Sequence, residues 1–186
     1  MKDILQSTTY ALMLLLFCCC MGGTQEQEAS TEEEEVPLFQ ENMANKVAEM
    51  NTSLCANIPA ELIMSYHPYG KQIETEKMKG SGLARGCLIK VRYGKKEHNF
   101  VQGQVQAWAV KTSNPFFQYK PERNPSAYQK VDGLGEKAVY LAYQRQLLVL
   151  KERVMYSMVP PSTGKLSDNG KEIKDLAIAM AKHYKL

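Results

Sequence analysis

Phe100–Val110 sets Val101, Val105, Ala107 and Ala109 on one side and Gln102, Gln104, Gln106 and Trp108 on the other. A period of two over so many residues is a strand with one apolar and one polar face, and it is incompatible with a helix. Leu88–Tyr93 alternates in the same way, with Ile89, Val91 and Tyr93 opposite Lys90 and Arg92. Gly94-Lys95-Lys96 lies between them, so the two segments predict an antiparallel hairpin.

Three more short strands are expected at Ala138–Tyr143, Leu147–Leu150 and Val154–Val159, broken by Gln144-Arg145 and Lys151-Glu152-Arg153 and stopped by Pro160-Pro161. Helical spacing appears at the two ends. Met43, Val47 and Met50 mark a helix over Asn42–Met50, and Pro59 suits the first position of a second helix over Pro59–Tyr66. Ile173, Leu176, Ala177, Met180 and Tyr184 form one apolar stripe within Asp168–Tyr184. Residues 112–130, with Pro115, Pro121 and Pro125, read as a loop with a short helix near Ser126. The expected class is α+β: an antiparallel sheet of about five strands in a hairpin and a meander, with helices before it and an amphipathic helix after it.

Upstream of this single domain, residues 42–186, the chain changes character. Tyr10–Cys20 is an uncharged apolar run ending in Cys18, Cys19 and Cys20. Eleven helical residues span about 16 Å, half a bilayer core, which suits the apolar region of a signal peptide better than a membrane span. The other readings of the run are a buried apolar helix and a eukaryotic signal with incidental cysteines. The end of the run, Leu16-Phe17-Cys18-Cys19, resembles the lipobox of bacterial lipoproteins. The resemblance implies a signal peptide over residues 1–18, cleavage before Cys19, with Cys20 the alternative, and a lipid on the new N-terminal thiol. It places the protein in the cell envelope, on the periplasmic or surface face of a membrane.

Residues 19–41 read as an acidic flexible tether that includes Glu32–Glu35. An acidic stretch after the lipidated cysteine also resembles the export signal of surface lipoproteins in the Bacteroidetes group. Residues 1–41 carry one Lys and eight acids, a net −7, whereas residues 42–186 carry 22 bases and twelve acids, a net +10. The overall +3 is therefore a cancellation between an acidic arm and a basic body.

Within the domain, Cys55 and Cys87 are either one disulfide or two separate buried thiols, and an exported domain with two cysteines favours the disulfide. Lys77, Lys79, Arg85, Lys90, Arg92, Lys95 and Lys96, with Lys71 before them, form a candidate anion-binding patch. Its alternative is a solvated strand face. Nucleic acid is not an expected partner outside the cytoplasm. Trp108, Phe116, Phe117, Tyr119 and Tyr128 are either core or the lining of a ligand groove.

The three histidines, His67, His98 and His183, form no H-x-x-x-H pattern, and no metal or cofactor motif is present. They are expected as ordinary surface or capping residues. Asn51-Thr52-Ser53 matches a glycosylation sequon in pattern only.

Cys55 to Pro59, Cys87 heading a strand, and Gly133-Leu134-Gly135-Glu136-Lys137-Ala138 together resemble small secreted lipoprotein domains of unknown function. That resemblance covers roughly residues 50–185 and implies helices flanking an antiparallel sheet, with no established activity. The resulting expectation is a lipid-anchored, non-catalytic binding or envelope-maintenance domain. Its partners would be the membrane and an anionic envelope component or protein. The alternative is an envelope hydrolase using His67 or His98, which requires a carboxylate and a nucleophile beside the imidazole.

Overall fold

A computed structural model describes residues 35–186 apart from 79–85, 97 and 113, with side chains from Asn42 onward. Expectations for residues 1–34, including the signal peptide, Cys19 and Cys20, lie outside the described residues. The elements are α1 (Glu35–Ala56), α2 (Ala60–Met64), β1 (Gln72–Lys77), β2 (Cys87–Arg92), β3 (Phe100–Ala109), β4 (Tyr128–Val131), β5 (Lys137–Leu141), β6 (Gln146–Lys151), β7 (Val154–Val159) and α3 (Ile173–His183). The class is α+β, but the sheet has seven strands rather than about five.

The spatial order is β1-β2-β3-β7-β6-β5-β4, antiparallel throughout. A three-stranded meander and a four-stranded meander are thus joined where β3 pairs with β7. The two unexpected strands, β1 and β4, are the two edges. An edge strand pairs on one side only and is guarded by charge and shortness, so its sequence carries little apolar alternation. In β1 only Ile73 is aliphatic, and β4 has four residues inside what reads as a proline-rich loop. The helix expected near Ser126 is a turn, in which the Asn124 side chain accepts the Ala127 N–H at 3.1 Å and the Ser126 hydroxyl at 2.8 Å.

One face of the sheet packs on all three helices. Ile89, Val91, Val105, Ala107, Leu147, Val149, Val154 and Met158 meet Val47 and Leu54 of α1, Ile63 of α2, and Leu176, Ala177 and Met180 of α3. Helix α1 lies over β3, and α3 lies over β6 and β7. The opposite face is covered over β5–β7 by the β3–β4 loop, whose Phe116 packs on Val139, Leu141, Leu148 and Met155.

Several boundaries move. Helix α1 begins at Glu35, so residues 35–41 of the expected tether are helical. Helix α2 ends at Met64 rather than Tyr66, with Pro59 at its cap. Helix α3 begins at Ile173 rather than Asp168, because Ser167–Gly170 forms a turn whose Gly170 takes φ +79°. The β6–β7 turn is two residues, Glu152 and Arg153, at φ 50° and 61°. That handedness matches the twist of the flanking strands. Gly135, at φ 52°, is required in its turn, since a Cβ there would collide with the Leu150 carbonyl.

Cys55, near the end of α1, and Cys87, at the head of β2, are joined as a disulfide, with Cα atoms 5.1 Å apart. Asn51 of the sequon is buried, and its amide is bonded to Ala107 through both of its polar atoms. In the folded domain it is a structural residue and is closed to a glycan.

Candidate functional site

Among the described residues the expected basic patch does not form one surface. Lys79 and Arg85 lie outside the described residues. Lys90 and Arg92 stand on the sheet face away from the helices, where β1 answers them with acids. Arg92 Nε donates to Glu74 Oε1 at 2.6 Å, and Lys90 Nζ donates to Glu76 Oε2 at 3.3 Å. Register places Glu74 opposite Lys90 and Gln72 opposite Arg92, so both ion pairs are diagonal, each reaching two residues along β1. The Arg92 bond holds the Glu74 carboxyl below the usual carboxylate range. Both cations also lie 5.5 Å from the centre of the Phe100 ring on β3.

This charge-paired pattern was hidden because β1 does not read as a strand. The signal that could have revealed it is the alternation Gln72, Glu74, Glu76 against Ile73, Thr75, Lys77. Beside these pairs, Gln102, Gln104 and Gln106 of β3 continue the same polar face. Lys77, Lys95 and Lys96 are exposed at the ends of the strands.

The aromatic set divides as well. Phe116 is only 2% exposed and belongs to the core, which corrects its place in a ligand groove. Tyr119 stacks edge-on against Phe116 at 6.4 Å and against Tyr128 at 5.5 Å. Trp108 is half-buried and packs against the same cluster. Phe117 alone of the five points outward, 68% exposed, with Lys120 Nζ 4.5 Å from its ring centre.

His67 departs furthest from expectation. It is 1% exposed, not a surface residue. It follows α2, where the chain turns back toward β1, and its Nδ1 lies 2.8 Å from the Tyr93 hydroxyl at the end of β2. Asp168 Oδ2, from the loop before α3, lies 3.5 Å from the same nitrogen. Burial first, and then its hydrogen bond to Asp168, push the Tyr93 hydroxyl well above the ordinary phenol range.

A phenol has one proton to give, so a Tyr93 that donates to Asp168 accepts from His67 Nδ1–H. A neutral His67 then carries its lone pair on Nε2, which is buried and has no hydrogen-bond partner among the described residues. Three elements distant in sequence are tied at this corner: the α2 exit, the β2 end and the β7–α3 loop. Tyr93 and Asp168 were not expected there, since neither has a sequence pattern linking it to His67.

His98 is exposed on the β2–β3 turn, and His183 Nε2 lies 3.0 Å from the Asn57 carbonyl. The serines nearest His67 in sequence or on the Asp168 loop are otherwise engaged. Ser65 Oγ donates to the Leu62 carbonyl at 2.7 Å, and Ser167 Oγ meets Asn169 and the Lys171 carbonyl. Among the described residues no group of three His, Cys, Asp or Glu could hold a metal ion, and no helix is long and apolar enough to cross a membrane. The chain matches no protein-family model, no curated protein and no solved structure.

Proposed function

We propose that the chain is a lipid-anchored cell-envelope lipoprotein whose domain binds or scaffolds rather than catalyses. The observation that carries this is how the five cysteines divide. Three close the apolar run at residues 18–20, and the two in the domain are paired as Cys55–Cys87. A disulfide is the habit of proteins that leave the cytoplasm. A cysteine at the end of a short apolar leader is the attachment point of a lipoprotein. The two acyl chains of a diacylglyceryl group on that thiol meet the two signals that stable anchoring requires.

Binding is favoured over catalysis by the state of the polar groups. The charges of the β1–β2 face are paired, and the imidazole of His67 is enclosed among Tyr93 and Asp168. The competing reading, an envelope hydrolase, draws on one observation: the Nε2 of His67, buried with no partner among the described residues. A hydrolase would need a nucleophile brought to that nitrogen, and Ser65 and Ser167 are committed elsewhere.

Mass spectrometry of the mature protein tests the anchor. The expected N-terminus is Cys19 bearing a diacylglyceryl mass. An unmodified chain that keeps Lys2 would overturn the reading.

A further inference from the structure

The strand registers bring the start of β1, the end of β2, the start of β3, the end of β7, the start of β6, the end of β5 and the start of β4 to one end of the sheet. The segments leaving that end are tied to one another. Lys71 N–H donates to the Arg92 carbonyl at 2.7 Å, and Tyr93 N–H donates to the Asn99 carbonyl at 3.0 Å. Arg145 donates to the Thr163 carbonyl at 3.4 Å, and the Asn169 amide donates to the Ser65 carbonyl at 2.8 Å. His67 and Asp168 close the same junction.

Four large hydrophobic side chains stand out as exposed among the described residues, and three of them are at this end: Tyr69 at 69%, Tyr143 at 72% and Leu166 at 58%. Single exposed apolar residues are ordinary, and it is their gathering on one end that calls for a cause. Exposed lysines lie on the segments leaving the same end. Lys71, Lys95, Lys96 and Lys165 are exposed and have no ion pair among the described residues. Lys171 Nζ rests 5.1 Å from the Tyr66 ring centre. The described acids on these segments are Asp168, held by His67 and Tyr93, Glu172, and Glu122 beside Arg123; with Glu97, between β2 and β3 in the sequence, also counted, bases still outnumber acids at this end.

The geometry points to a docking surface for an anionic lipid bilayer. Tyr69 flanks edge strand β1 and Tyr143 caps the β5–β6 turn, so they sit about 24 Å apart across the sheet at one strand spacing per step. A strip that wide suits a plane better than a small ligand. Tyrosine, with an apolar ring and a polar tip, fits the headgroup boundary, and lysine stems lie along it with their charges in the phosphate layer. The lysines without an ion pair among the described residues select anionic over zwitterionic headgroups. The surface belongs to the folded domain and stands whether or not Cys19 carries a lipid.

The test uses the full chain with Tyr143→Trp, read against the unsubstituted chain, whose single Trp108 reports from the β3–β7 pairing. Phosphatidylglycerol vesicles should blue-shift the introduced indole, and brominated lipid should quench it, while Trp108 emission stays unchanged. High salt should reverse the effect, and Lys71→Gln/Lys95→Gln/Lys96→Gln/Lys165→Gln should weaken partitioning at least tenfold. Tyr69→Trp, on the other flank, repeats the measurement should Tyr143→Trp fold poorly.

An introduced indole that stays in water while the chain sediments with the vesicles would overturn the proposal, because the apolar leader alone then holds the chain there. An equal response to phosphatidylcholine would overturn it, as would a shift with polyglutamate in place of vesicles, which would assign the end to an acidic protein. The converse, a quenched indole on a chain without lipid at Cys19, would remove the anchor and leave this surface standing.

Discussion

The side chain of Asn51 completes the sheet beside Ala107. Its Nδ2 donates to the Ala107 carbonyl at 2.8 Å, and its Oδ1 accepts the Ala107 N–H at 2.8 Å. The described part of β2 begins at Cys87, opposite Val105, so the backbone groups of Ala107 look toward α1 rather than toward a strand. One helix side chain therefore does for β3 what another strand would do, in a site where Asn51 is 5% exposed. The same pair fixes the rotation of α1 over the sheet.

Asn51→Ala leaves a buried donor and a buried acceptor unsatisfied. At about 1–3 kcal/mol for each orphaned group, the loss is about 2–6 kcal/mol. Asn51→Asp can still accept from the Ala107 N–H but repels its carbonyl, so it is expected to rank with Ala. Urea denaturation checks both, with a lower midpoint and an unchanged slope as the expected result.

Cys55 and Cys87 are 32 residues apart. Closing a loop of that length stabilises by roughly 3–4 kcal/mol in the chain-entropy model. Cys55→Ser/Cys87→Ser should lower the melting temperature under oxidising conditions, and reduction of the natural chain should lower it by a similar amount. Thiol titration of the unfolded, unreduced domain should find neither of these two cysteines free.

Phe116 and Phe117 are neighbours in sequence with opposite environments, 2% and 68% exposed. Phe116→Ala is expected to cost about 3–5 kcal/mol, because it empties the space between the β3–β4 loop and β5–β7. Phe117→Ser should change stability by about 0.5 kcal/mol or less. Equal costs at the two positions would contradict the loop packing.

Glu74 titrates below its ordinary value of 4.5, chiefly through the hydrogen bond from Arg92. A carboxyl whose folded pKa is depressed contributes stability above its unfolded pKa and loses it as pH falls through the folded one. The natural domain should therefore lose more stability than Glu74→Gln as pH falls from 5 toward 3 (roughly the window set by that depression). High salt should shrink the difference, since the pair is partly exposed. Parallel denaturation midpoints of the two proteins across that window would refute the pairing.

Local pattern alone reached the interior of this fold. Strands β2, β3, β5, β6 and β7 lie inside the sheet, where at least one side of each must be apolar, so Ile89 and Val91 or Val105 and Ala107 announce them by spacing. The stripe of α3 is legible for the same reason. The class and the Cys55–Cys87 option followed from residue type and order. The edges β1 and β4 did not, because a strand paired on one side, with a solvated face, needs no apolar alternation.

Long-range placement decided the rest. Only the pairing of β1 with β2 sets Glu74 and Glu76 against Arg92 and Lys90, turning part of an apparent basic patch into a charge-paired face. Only the return of the chain after β7 brings Asp168 to His67 and Tyr93, across 101 residues of sequence from the histidine. A polar side chain has no periodicity to betray its partner, since one hydrogen bond satisfies it whatever the sequence separation. The cysteines, the alternation and the charge asymmetry were thus written in the chain, and which of the described charges meet across strands, and at which end the exposed lysines gather, was settled by the folded sheet.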